Sequence, residues 1–346
     1  MTKSRRRTLV FWIFTAACAV GEGGYIRWRV QAVPPRETTQ LLDPLEARAA
    51  GAIEALRARP HIVFVSSRAE TPGQLAIAGL DSLDSPLVLA GPRCERSYAG
   101  KALTLCLALN QDSMQPRGFA LILDRSFQTV AKLPLAGLPI RARVSPDQRY
   151  AVATVFVTGE SYGGDFTTRT TLFDLSSKRA VADLEGFSVE RDGKPFKAAD
   201  FNFWGVTFFQ DGNQFFATLG TAGQRLLVKG DIDRRQLQVV GRDVECPSLS
   251  PDERHIVFKR HHQGKSGWQL WALELSSMKE WSVTDDGQDI DDQVEWLDTS
   301  HVIYGLFDST GAQDARLSMW ISAIAPGSSP HPQFFMRSGW SPAVVR

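Results

Sequence analysis

An all-β fold, a six-bladed β-propeller closed by its own C-terminal strand, is what this sequence of 346 residues predicts. The first observation is a repeated unit. Ser145-Pro146-Asp147 opens "VSPDQRYAVATVF" and Ser250-Pro251-Asp252 opens "LSPDERHIVFKR", with looser echoes at "FFQDGNQFFATL" and "EWLDTSHVIYGL". Each copy reads as a short apolar strand, a tight turn seeded by Pro or Asp, a β-branched or aromatic strand, a loop, and a further strand such as "WQLWALEL" or "TTLFDL". The second observation is the spacing, roughly 40 to 50 residues with no long helix between strands, which marks a propeller. The third is a strand left over at the C-terminus.

Residues 1–35 stand apart. Lys3 and Arg5 to Arg7 precede an apolar run from Leu9 to Val20, which Gly21, Glu22 and the pair Gly23-Gly24 follow. Crossing a bilayer takes roughly 20 apolar residues as helix, so this shorter run reads as the core of a signal peptide, and the chain as exported. Ala17-Cys18-Ala19 offers small residues for cleavage, Thr15 stands where a lipobox would carry Leu, and Ser4-Arg5-Arg6 resembles a twin-arginine signal. If the segment is retained, Tyr25, Ile26 and Trp28 extend it into a membrane anchor.

One short amphipathic helix is predicted within residues 36–59. Asp43 can cap it, Pro44 suits its first position, Glu46 completes a capping box, and Leu45, Ala49, Ile53 and Leu56 share a face. That face either packs on the flank of the propeller or serves a partner.

Residues 60–346 divide into six blades. "HIVFVSSR", "GQLAIAGL" and "SPLVLAG" belong to the first; "RCERSYAG", "ALTLCLAL", "GFALILD" and "QTVAKLPL" to the second. The third runs from "IRARVSPD" to "RAVADLE", the fourth from "FWGVTFFQDG" to "QLQVVG", the fifth from "CPSLSPDE" to about "EWSVTD", and the sixth from "DDQVEWLD" to about "PQFFMRS". The first blade lacks an opening strand, and "WSPAVV" at 340–345 is one. Its insertion there closes the ring and removes an exposed sheet edge.

A net charge of +1 argues against a nucleic-acid partner, because no charge block exceeds the Arg5-Arg6-Arg7 run. No Gly-x-Ser-x-Gly elbow, His-Glu-x-x-His pair or Gly-rich phosphate loop is present, so a non-enzymatic role is expected and no cofactor is implied. The acid-rich "TDDGQDIDDQVEW" is the one stretch that suggests a metal. Asp285, Asp286, Asp289 and Asp291 are the candidate ligands for Ca²⁺, a hard cation that favours crowded oxygens; the alternative is local hydrogen bonding within a turn. His261-His262 lies in a polar loop and reads as a solvated turn.

Propeller geometry suggests a second site. The opening strand of each blade lines the channel, so polar groups at its start converge on one mouth: Arg141, Arg143, Asp200, Asn202, Glu245, Asp292 and Glu295, with the indoles of Trp204 and Trp340. Aligned on the final Asp of "IRARVSPD", "VECPSLSPD" and "DDQVEWLD", Asp292 and Glu295 are expected near Arg141 or Arg143 and Glu245. Such a mouth suits a polar ligand or a peptide segment; the alternative is that these groups satisfy one another across the channel. Cys94 and Cys106 are symmetric about residue 100, which sets them opposite in a hairpin and within reach of a disulfide; two buried thiols are the alternative. Cys246, before Pro247, has no evident partner and is expected to be buried.

The apolar-x-Ser-Pro-Asp-x-x-x-apolar-apolar repeat resembles that of the TolB-like propellers, whose repeats are related to WD-type blades. More narrowly, "FNFWGVTFFQDGNQFFATL", "VECPSLSPDERHIVFK", "DDQVEWLD" and "WSPAVVR" resemble exported bacterial TolB-like proteins of unestablished role. The resemblance covers roughly residues 60–346. It implies a protein-binding or scaffold module of the bacterial envelope, periplasmic or at the cell surface, with an envelope protein as partner. The rival expectation is a sugar- or peptide-binding protein, or an enzyme, that uses the polar channel mouth.

Overall fold

Every repeated strand group closes into its own antiparallel sheet in the computed structural model, which describes residues 51–110, 117–159, 166–261, 267–285, 289–307 and 317–346. Six sheets result, so the predicted six-bladed propeller is the fold. From the channel outward, the first blade is β26 (Gly339–Val345), β1 (His61–Ser66), β2 (Gln74–Gly79) and β3 (Leu87–Arg93). The second holds β4 (Arg96–Ala99), β5 (Thr104–Asn110), β6 (Arg117–Leu123) and β7 (Thr129–Pro134). The third holds β8 (Leu138–Val144), β9 (Tyr150–Thr158), β10 (Thr167–Asp174) and β11 (Arg179–Asp183).

In the fourth blade, β14 (Asn202–Phe208), β15 (Gln214–Thr221), β16 (Gln224–Asp231) and β17 (Gln236–Arg242) are extended at the outer edge. β12 (Ser188–Arg191) pairs parallel with β17, and β13 (Lys194–Phe196) follows it in a hairpin. This pair was not anticipated in dividing the chain into blades. The fifth blade is β18 (Glu245–Leu249), β19 (His255–His261), β20 (Trp268–Glu274) and β21 (Lys279–Ser282). The sixth is β22 (Glu295–Trp296), β23 (His301–Leu306), β24 (Ser318–Ala323) and β25 (Gln333–Met336).

The burial of each strand explains its composition. β1, "HIVFVS", is buried at every position because neighbouring blades cover both of its faces, and so it reads as an unbroken apolar run. β7, "TVAKLP", and β11, "RAVAD", lie at the outer rim and alternate or stay exposed. The Ser-Pro-Asp motif is a turn brace. Ser145 Oγ donates to Asp147 Oδ1 at 2.6 Å and accepts from Tyr150 N at 2.9 Å. The same contacts recur at Ser250, with Asp252 at 2.6 Å and His255 N at 2.9 Å. Gln148 and Glu253 take the left-handed conformation that each turn requires, with φ of 59° and 58°.

The C-terminal strand is the latch. β26 pairs antiparallel with β1 from His61↔Val345 to Ser66↔Gly339, with an irregularity between Val63 and Val65 where Ser341 adopts a φ of 51°. Trp340 is half-buried and packs on the core that the first and second blades share.

Residues 51–57 are helical, and Ile53 and Leu56 pack on that same core, so the described part of the amphipathic helix lies on the propeller's flank. Its earlier part, at 43–50, and the signal or anchor segment at 1–35 lie outside the described residues. Among the described residues no helix is long and apolar enough to cross a membrane.

Cys94 and Cys106 are joined by a disulfide with their Cα atoms 5.4 Å apart. The hairpin register is not the one symmetric about residue 100. β4 and β5 pair Ser97 with Cys106, and the turn falls at 100–103, where Gly100 N donates to Leu103 O. Cys94 reaches its partner because it precedes β4, where the chain leaves β3, rather than by standing opposite within the ladder. Cys246 is buried, as expected, and its N–H donates to Thr218 Oγ1 at 2.9 Å.

Candidate functional site

All six innermost strands end on one recess. Ala99, Val144, Phe208, Leu249, Trp296 and Val345, the last residues of β4, β8, β14, β18, β22 and β26, line a solvent-open funnel of about 260 Å³. One residue before each of these ends, at Val344, Tyr98, Arg143, Thr207, Ser248 and Glu295, the six strands contribute the funnel's floor. Repetition places these positions at one level, and their chemistry seals the channel.

Glu295 is the centre of that seal. Its Oε2 accepts from Arg143 Nη1 at 2.8 Å, and its Oε1 accepts from Tyr98 OH at 3.3 Å and from Val344 N at 3.4 Å. The Arg143 guanidinium also lies 4.6 Å from the centre of the Tyr98 ring and donates to Val294 O at 3.2 Å. Both side chains of the ion pair are at most 10% exposed. Burial opposes the charge of Arg143, but Tyr98 and Glu295 favour it more, and its pKa rises. Burial pushes the Tyr98 phenol up, so it remains a donor at every physiological pH. Gln293 ties the next layer together: its Oε1 accepts from Ala142 N at 3.3 Å and its Nε2 donates to Ser97 O at 3.4 Å.

The opposite end of the channel holds a second ion cluster. Asp291 Oδ1 lies 2.7 Å from Arg141 Nη2 and 2.9 Å from Lys259 Nζ, and both cationic side chains are buried. Burial alone would raise the Asp291 carboxyl, but Lys259 and Arg141 hold it well below the usual carboxylate range.

Of the residues expected at one mouth, the structure brings Arg143 to Glu295 and Arg141 to the same end as Asp291, and it disperses the others. Asp292 meets neither arginine. Its Oδ2 accepts from Gly305 N and from Ser341 N, each at 2.9 Å, so it fastens the latch strand to the sixth blade. Glu245 faces Arg225 at 3.6 Å and His261 at 3.3 Å, between the fourth and fifth blades. Asp200 accepts from Thr221 Oγ1 and Ala222 N, and these hydrogen bonds hold its carboxyl below the ordinary value. Asn202 Oδ1 accepts from Thr168 N at 2.8 Å. Trp204 is 0% exposed under Phe166 and Arg225 and offers no face to a ligand, while Trp340 packs against Arg96.

The misplacement of Asp292 has a simple cause. Ser145 N closes its turn on Tyr150 O, five residues on, whereas Leu297 N closes on His301 O, four residues on. Alignment on the final Asp therefore slips the sixth blade by one residue, and alignment on the turn hydrogen bond equates Glu295 with Arg143. The same alignment would have found Tyr98, which the sequence reading missed. Lys259 was missed because it sits on β19, one strand away from the channel.

The described members of the acid cluster face different partners. Asp291 is held by its two cations, Asp285 lies 2.5 Å from His331 Nδ1, and Asp289 sits beside Gly267. Asp286 lies outside the described residues. Among the described residues, no group of three or more His, Cys, Asp or Glu side chains is placed to hold a metal. His261 is not a free turn residue; its ring stacks on Trp268 at 4.6 Å, and His262 lies outside the described residues.

Neither a family model nor a curated protein matches the sequence. Solved structures do. The chain is similar to TolB from Acinetobacter baumannii at 15% identity, over 91% of this chain and 74% of that one, with a TM-score of 0.54. It is similar to a chain of a nidogen/laminin complex at 8% identity, over 82% and 98%, with a TM-score of 0.52. A TolB structure from Agrobacterium tumefaciens matches at 13% identity over 82% and 91%, with a TM-score of 0.49. The first of these likenesses, together with the six sheets, defines the class by fold: a six-bladed propeller of TolB-like fold.

Proposed function

We propose that the protein is a non-enzymatic binding or scaffold module that works outside the cytoplasm, with an envelope protein as its partner, and that the funnel receives a segment of that partner. One observation carries the reading. The six inner strands converge on a recess whose floor is sealed by the Arg143–Glu295 pair. A peptide segment can seat in such a recess, while a substrate cannot pass through it. The charged groups on the floor neutralise one another, which leaves neither a free base nor an activated nucleophile for chemistry. The rim is built from the rigid turns at Ser145-Pro146 and Ser250-Pro251, which preorganise the surface a partner would meet. The TolB-like fold supports the same role by analogy.

A photo-crosslinking amino acid at Gln210, an exposed rim position, tests this reading in intact cells. Crosslinks to a discrete envelope protein are expected from Gln210 and not from Val181 on the outer edge of the third blade. Equal labelling from both positions, or none from either, would refute the funnel as the docking surface. A periplasmic reporter fused after residue 35 should be active; an active cytoplasmic reporter at that point would overturn the location.

A further inference from the structure

A second recess, of about 200 Å³, lies beside the funnel where the helix at 51–57 meets the latch end of the first blade. Its ionisable lining is Arg57, Arg59, His61, Lys101, Arg125 and Arg346, and no acidic side chain lines it among the described residues. Arg59 is engaged by Asp81 at 2.6 Å and Arg125 by Glu54 at 3.3 Å. The other cations have no carboxylate partner among the described residues.

Arg57 is the informative member. It is 9% exposed, its guanidinium lies 5.0 Å from the centre of the Phe127 ring, and its Nη2 donates to Lys101 O at 2.8 Å. Its Nε and Nη1 are buried with no hydrogen-bond partner. A buried guanidinium with two unanswered donors is costly, and the cost is offset when an anion supplies the missing acceptors. Burial first and the neighbouring Arg125 second disfavour the charge of Arg57; Glu54 and Asp124 favour it but do not outweigh them.

His61 adds a second unanswered atom. It is 2% exposed, and its Nδ1 lies 2.8 Å from Arg59 O, so Nδ1 carries the proton and donates. Nε2 is then a lone-pair acceptor, and it too is buried without a partner. Burial and the nearby Arg57 and Arg125 keep the ring neutral. The recess thus presents several cationic donors and a single acceptor. Hydrogen phosphate complements that set, because it offers several acceptor oxygens and one P–OH donor, whereas sulfate at neutral pH has no proton to give.

We propose that this recess binds a phosphate-class dianion, with Arg57 and Lys101 as donors and His61 Nε2 accepting from the protonated oxygen. The recess shares Lys101, Val345 and Arg346 with the funnel wall, but the phosphate proposal rests on Arg57 and His61, which do not line the funnel, and does not depend on the funnel reading. Inorganic phosphate can be titrated calorimetrically into the full chain at pH 7.5 and constant ionic strength, with sulfate as the comparison. Saturable one-site binding, tighter for phosphate than for sulfate, is expected. Arg57→Gln should weaken it by about tenfold or more, the scale of one charged hydrogen bond. Lys101→Ala, an exposed and fold-neutral change, should weaken it by about threefold, and it serves if Arg57→Gln fails to fold. Vesicles of phosphatidylcholine with phosphatidic acid distinguish the sources. Retention that inorganic phosphate reverses assigns a lipid headgroup, and lack of retention with intact phosphate binding assigns a soluble phosphate. No saturable phosphate binding, or an affinity unchanged in the folded variants, overturns the site.

Discussion

Glu295 of the sixth blade accepts a 2.8 Å hydrogen bond from Arg143 of the third, an ion pair that spans the channel and is largely buried on the funnel floor. Two charges from blades 152 positions apart in the chain therefore close the middle of the ring. Removing one partner leaves the other buried and uncompensated. Glu295→Ala should cost about 3–5 kcal/mol, whereas the paired change Arg143→Met with Glu295→Leu should be near neutral. Urea midpoints of the single and double variants check this; equal losses in both would show that the charges are not coupled.

The latch offers a sharper test of closure. Asp292 supplies one carboxylate oxygen to two buried N–H groups, one on β23 and one on β26. Asp292→Ala strands both donors, at about 1–3 kcal/mol each. Truncation after Ser338 should cost several kcal/mol, since the ladder to β1 is lost with it. Thermal melts should rank the truncation below Asp292→Ala and both below the parent chain.

Asp291 makes the stability acid-sensitive in one direction. Its pKa is depressed in the folded protein by Lys259 and Arg141, although burial opposes them. The stabilisation is therefore present above the unfolded value of about 4 and is lost as pH falls below it. Asp291→Asn should be destabilised at pH 7, and its deficit should narrow below about pH 4. A deficit that is independent of pH would remove the ion cluster as the cause.

Glu185 acts in the opposite sense. Burial raises its carboxyl to about 7, so the folded state holds a proton that the unfolded chain has released. That contribution is present at low pH and declines as pH rises through about 7. Glu185→Gln should therefore raise the melting temperature more at pH 8 than at pH 5.

The Cys94–Cys106 bridge should survive purification without reductant. Denatured, unreduced protein is expected to react with maleimide at Cys246 and not at Cys94 or Cys106. Reduction should lower stability by about 2–4 kcal/mol. Labelling of Cys94 and Cys106 before reduction would show that the bridge does not form.

The blade count, the strand order and the C-terminal latch were legible in the sequence because each depends on local signals that recur. A Ser-Pro-Asp turn is braced by residues within five positions of one another, and an apolar run marks a strand covered on both faces. The β12–β13 hairpin carried a readable signal as well, in Asp192-Gly193 with φ of 53° and 72°, but its parallel pairing with β17 joins segments 48 positions apart and leaves no mark in either.

The site was legible only in part, and one residue of register decided which part. That the inner strands would present charge to the axis followed from repetition alone. Whether Asp291, Asp292 or Glu295 met an arginine depended on a turn one residue shorter than its counterparts, because side chains alternate sides along a strand and a single step reverses their direction. Blade number and the mode of ring closure follow from period and turn chemistry, which act over short distances along the chain. That Arg143 meets Glu295, that Arg57 and His61 line a recess with no acidic side chain among the described residues, and that Asp292 serves the latch emerged only in the folded ring. Those outcomes depend on distances between segments far apart in the chain, and these are set when the ring closes.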